Sequence, residues 1–137
     1  MGTIATNNRQ ITLFYHPDTS LGKRMNAYVN SMDKDVLIVD VSKTKVTGTQ
    51  WSELAEKLNI KIADLINQEH PDFTKNYGKG PFDMEEHDWL KVLEMHPELL
   101  IHPIVINGEE YMQIKKPTDF TKFMGADSAG ADEKNPL

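Results

Sequence analysis

Apolar positions along the chain change period several times, and each change marks a new element. Ile11-Thr12-Leu13-Phe14-Tyr15 is a β-branched and aromatic run stopped by His16-Pro17, the pattern of a short strand. Leu21, Met25, Tyr28, Val29 and Met32 then fall at i, i+4, i+7, i+8 and i+11, which predicts a helix with one apolar stripe. Asp18, Thr19 and Ser20 crowd its start, and each has a side-chain oxygen suited to accept from an orphan helical N–H. Val36-Leu37-Ile38-Val39 is continuously apolar and predicts a strand buried on both faces. Strand, helix and strand in that order predict a right-handed parallel βαβ unit.

Two short helical patterns follow, Trp51, Leu54, Ala55 and Leu58 after Thr49, then Ile62, Leu65 and Ile66 after Asn59. Residues 68–84 form a polar insert with Gly78, Gly80 and Pro81, in which Phe73, Tyr77, Phe82 and Met84 lack an obvious buried role and predict an exposed contact patch. Asp83-Met84-Glu85-Glu86 resembles a capping box opening a helix that buries Trp89, Leu90 and Leu93 and ends at Pro97. Pro103-Ile104-Val105-Ile106, Asn107-Gly108 and Glu109 to Ile114 predict a hairpin, with Asn-Gly supplying the two positive φ angles of a type I′ turn. Pro117, Phe120, Phe123 and Met124, with Gly125 beyond, predict a last helix. The expectation is an α/β domain over residues 10–124 with a four-stranded mixed sheet, βαβ then helical insert then ββα. Residues 1–9 and the acidic stretch 125–137 are expected to be flexible ends.

Composition narrows the chemistry. The chain has 137 residues and a net charge of −6, with no basic stripe to neutralise phosphates, so direct nucleic-acid binding is not expected. The longest apolar run is four residues, too short to span a bilayer, and the N-terminus has no signal-peptide pattern, so a cytoplasmic protein without membrane partners is expected. There is no cysteine. That excludes disulfides, thiolate metal sites and a cysteine nucleophile in this chain. Of five histidines, His16, His70, His96 and His102 each precede a proline and none is paired at helical i, i+4 spacing, so no metal site is expected.

The segments Ile11 to His16 leading into a helix through Pro17, Leu65-Ile66-Asn67, His96-Pro97-Glu98-Leu99-Leu100, His102-Pro103-Ile104-Val105 and Lys116-Pro117-Thr118-Asp119 occur in an order that resembles the arsenate reductase/Spx-like, glutaredoxin-like branch of the thioredoxin superfamily. The resemblance implies a thioredoxin-like fold with a functional cysteine at the start of the first helix, and here that position is Ser20. A serine hydroxyl keeps its proton at neutral pH and forms no disulfide. The family's anion-binding arginines fall on Asn67, His102 and Lys116, while Arg24 matches a family arginine and is retained. Lysine cannot clamp an oxyanion bidentately as arginine does. The resemblance also implies that Pro103 is the counterpart of a cis-proline that presents a backbone edge to extended ligands.

The candidate ligand-binding residues are therefore Ser20, Arg24, Asn67, His102, Pro103 and Lys116, with Ser20 at the family's catalytic position. As a nucleophile Ser20 would need a base, and His16 and His102 are the imidazoles this fold could bring near it. Otherwise it is a plain helix cap. The leading expectation is a redox-inactive binding or regulatory module with a protein partner and no cofactor, a use of the scaffold that Spx-type relatives imply. The rival is a glutathione-dependent oxidoreductase or transferase-like enzyme, in which Ser20 and the Pro103 edge hold that small thiol peptide.

Overall fold

A computed structural model describes residues 11–30 and 36–120. Strand β1 (Ile11–Tyr15) pairs in parallel with β2 (Val36–Asp40) and antiparallel with β3 (Ile104–Asn107), and β3 pairs antiparallel with β4 (Glu110–Gln113). The sheet order is β2-β1-β3-β4, a four-stranded mixed sheet. Helix α1 (Ser20–Asn30) connects β1 to β2, and α2 (Gly48–Leu58), α3 (Pro71–Tyr77) and α4 (Glu86–Met95) lie between β2 and β3.

Alternation along β1 divides the core. Phe14 joins Ile104, Ile106, Trp51, Leu54, Phe73 and Leu93 on one face. Ile11, Leu13 and Tyr15 join Val105, Met25, Val29 and Phe120 on the other. Because successive strand side chains point to opposite faces, one five-residue central strand anchors both layers, and all five of its residues are buried.

Several sequence expectations shift once the elements pack. β2 is an edge strand, so its apolar run is only half-covered and Leu37 is 47% exposed. The N-cap of α2 lies two residues earlier than Thr49, at Thr47, which forms a reciprocal capping box with Gln50, and Asn59 closes the helix in a left-handed conformation. Ile62–Leu65 is a single 3-10 turn rather than a helix, and α3 falls within the expected helical insert 68–84, whose polar pattern did not mark its bounds. The α4 capping box uses Glu85 and Asp88, not Asp83 and Glu86, so Val92 and Leu93 are buried while Trp89 and Leu90 are half-buried. The hairpin turn also moves by one residue. Asn107 pairs with Glu110, and the only positive φ in the turn is at Gly108 (65°), which fits a type II′ turn over Gly108-Glu109.

The expected contact patch is part of the core. Phe73 is fully buried, and Tyr77, Phe82 and Met84 pack partly buried against the same cluster. Its ring meets Tyr77 at 5.1 Å, Phe82 at 5.2 Å and Trp89 at 6.1 Å between centroids. The insert has folded back on its own aromatics. Residues 117–120 are helical, as Pro117 predicts, while Phe123, Met124 and Gly125 and both expected flexible ends lie outside the described residues.

Candidate functional site

The register brings three chain segments to one end of the sheet. β1 ends at Tyr15 and runs into α1, and Phe14 stands opposite Ile104, so the α1 start and Pro103 share that end. β4 finishes there too, since Gln113 stands opposite Ile104 and Ile114 N–H donates to the Pro103 carbonyl at 2.8 Å. Lys115 and Lys116 follow directly.

The α1 start is built by its neighbours rather than by Ser20. Thr19 Oγ1 accepts from Gly22 N–H at 2.9 Å and donates to the His16 carbonyl at 2.9 Å, so Thr19 is the N-cap. A Cβ on Gly22 would collide with the His16 carbonyl and the Thr19 hydroxyl, so only glycine lets the helix sit this close to the loop. Ser20 is the first helical residue and is exposed. It is therefore not the plain helix cap; its side chain has no hydrogen-bond partner among the described residues.

The histidines that precede prolines have structural employment. His16, buried, accepts at Nδ1 from Asp18 N–H at 3.0 Å, and His70 accepts at Nδ1 from Asp72 N–H at the same distance. Both sit in His-Pro-Asp tripeptides and both satisfy an N–H at the entry of a helix. A ring nitrogen occupied in this way is a poor general base for Ser20. His96 Nδ1 lies 3.2 Å from Glu98 Oε2, edge-on to the Tyr77 ring. Among the described residues no three His, Asp or Glu side chains gather as a metal-binding set.

The remaining site residues are brought to one end only in part. His102 is half-buried, within electrostatic reach of Lys115 and Asp119. Burial pushes its imidazole below the usual histidine range, the Lys115 ammonium adds to that, and the Asp119 carboxylate opposes them. Asp119 also accepts from the N–H groups of Lys115 (3.0 Å) and Lys116 (3.2 Å), capping the turn at 117–120. Arg24 and Lys116 are exposed. Asn67 N–H donates to the Leu99 carbonyl at 2.7 Å, which ties it to the strand-like segment before His102, and its Oδ1 accepts from Glu69 N–H at 3.0 Å. No hydrogen bond among the described residues joins Ser20, Arg24, Asn67, His102 and Lys116 to one another.

Pro103 is buried, and its bond to His102 is trans, since the cis bond in the described residues is Gly80–Pro81. The expected cis geometry is thereby corrected. Pro103 enters β3 with its carbonyl bonded to Ile114, an extended arrangement that the favoured trans isomer satisfies. Thr19, one of the three capping residues the sequence offers at the α1 start, is the one used, while its partner Gly22 and the Asp119 cap were not anticipated. Both had a signal, an oxygen-bearing side chain and its backbone partner three residues apart.

No protein-family model matches the sequence, and no curated protein sequence matches it. Solved structures do match. An arsenate reductase from Vibrio cholerae aligns with TM-score 0.70 at 14% identity, over 85% of this chain and 98% of that one. The fold is that of the arsenate reductase-like proteins. A Yersinia pestis protein assigned as an arsenate reductase gives TM-score 0.70 at 18% identity, over 82% of this chain and 98% of that one. An arsenate reductase-related protein from Brucella melitensis gives TM-score 0.61 at 13% identity, over 88% and 98%. The arsenate reductase-like fold thus accounts for nearly the whole of each neighbour, in a chain that contains no cysteine. Among the described residues, no helix is long and apolar enough to cross a membrane.

Proposed function

We propose that this chain is a redox-inactive, cytoplasmic member of the arsenate reductase-like group, acting as a binding or regulatory module. The observation that carries this reading is an exposed serine, Ser20, at the first position of α1 in a chain without any cysteine. A helix N-terminus lowers the pKa of a thiol and so makes a nucleophile of it; an alcohol at the same place stays protonated. The exposed cations Lys23, Arg24, Lys115 and Lys116 support an acidic protein segment as the bound partner, by charge complementarity.

The rival reading, in which Ser20 and the Pro103 edge hold glutathione, draws on the α1 start and Pro103 sharing one end of the sheet. Thermal unfolding with and without millimolar glutathione separates the two. A native-state ligand at about one hundred times its Kd adds about 2.7 kcal/mol. No change in Tm is expected, and a rise of several degrees would favour the glutathione enzyme and overturn the module.

A further inference from the structure

We propose that the cleft between the 78–81 turn and α4 binds a quaternary ammonium group, held by Trp89, Phe82 and the Glu69 carboxylate. The cleft is open, about 480 Å³, and those three residues line it with Lys79. Phe73, fully buried, lies 11° from parallel to the Trp89 indole, so the core supports the indole from one side while Trp89 itself stays half-buried. Phe82 stands at 82° to the indole in an edge-to-face contact, centroids 5.9 Å apart, and both rings line the cleft. The turn opposite carries little bulk. Gly78 has φ 78°, and a Cβ on Gly80 would press on the Phe82 ring at 3.0 Å.

Aromatic faces carry the negative end of a quadrupole and attract cations while repelling anions. A methylated ammonium fits such faces better than a bare one, because its charge is spread over apolar methyl groups. Glu69 supplies the complementary charge. Its N–H is engaged by Asn67, but its carboxylate has no hydrogen-bond or ion-pair partner among the described residues. Lys79 is exposed and lines the same cleft, so its ammonium opposes a bound cation.

The test uses the two indole N–H signals of the full chain in a 1H–15N spectrum, with Trp51, 1% exposed, as the internal reference and Trp89→Phe to assign the peaks. Tetramethylammonium, choline and a trimethyllysine peptide are titrated in turn, and the tighter of the last two distinguishes a free ligand from a peptide-borne one. The control is 3,3-dimethylbutan-1-ol, the uncharged isostere of choline. A saturable shift of the Trp89 signal is expected for the cations, with binding about tenfold weaker for the isostere and about two- to fivefold weaker for Glu69→Gln. Lys79→Ala should tighten it. Equal binding of the uncharged isostere, no saturable shift at tens of millimolar, or weaker cation binding by Lys79→Ala would each overturn the proposal. Circular dichroism of each variant confirms that the comparison is between folded chains.

Discussion

Thr19 and Ser20 carry the same functional group one residue apart, yet the backbone gives them different work. Thr19 closes the first turn of α1 through Gly22 and the His16 carbonyl, whereas Ser20 stands in solvent. Thr19→Ala should therefore destabilise the chain by about 1 kcal/mol. Ser20→Ala should stay within about 0.5 kcal/mol of wild type. Urea denaturation decides, and equal losses would mean that the cap is shared. His102 gives a pH signature with a defined sign. Its folded-state pKa is depressed, so the native chain binds fewer protons than the unfolded one just below the ordinary histidine value. Stability is fully present above about pH 6.5 and falls as the pH drops from there toward the depressed value. Unfolding free energies over that window should slope less steeply for His102→Gln than for wild type, and identical slopes would remove His102 from the account.

At the level of elements, the strands and the first helix were legible because their periods are clean. Ile11 to Tyr15 and the stripe through Met25 and Val29 need no tertiary information to be read. The errors share a cause, which is that local pattern does not reveal what an element packs against. Val36 to Val39 reads as a strand buried on both faces because its residues are apolar, but cover depends on what packs on the sheet, and at an edge it is only half-covered. The 68–84 insert reads as polar, but four aromatic rings spaced along it and α4 meet only after the chain folds back. Phe73 is therefore a core residue. Phe73→Ala should cost about 3–5 kcal/mol by cavity formation, measurable by thermal or chemical unfolding. A loss below about 1 kcal/mol would contradict its burial.

For the whole molecule, the order of segments was sufficient to anticipate the four-stranded mixed sheet, and the solved structures of arsenate reductase-like proteins share the fold at identities of only 12–18%. The candidate site was less legible. Residue types marked Asn67, His102 and Lys116 as candidates, but not that Asn67 binds back to Leu99 and Glu69, that His102 lies within electrostatic reach of Lys115 and Asp119, or that Pro103 is trans. Those facts depend on contacts between segments far apart in sequence. What composition did supply was the absent thiol, and the functional reading depends on it. The most direct test is an arsenate reduction assay on the purified chain with glutathione and glutaredoxin supplied. Turnover at background is expected; turnover clearly above background that disappears in Ser20→Ala would contradict a redox-inactive role.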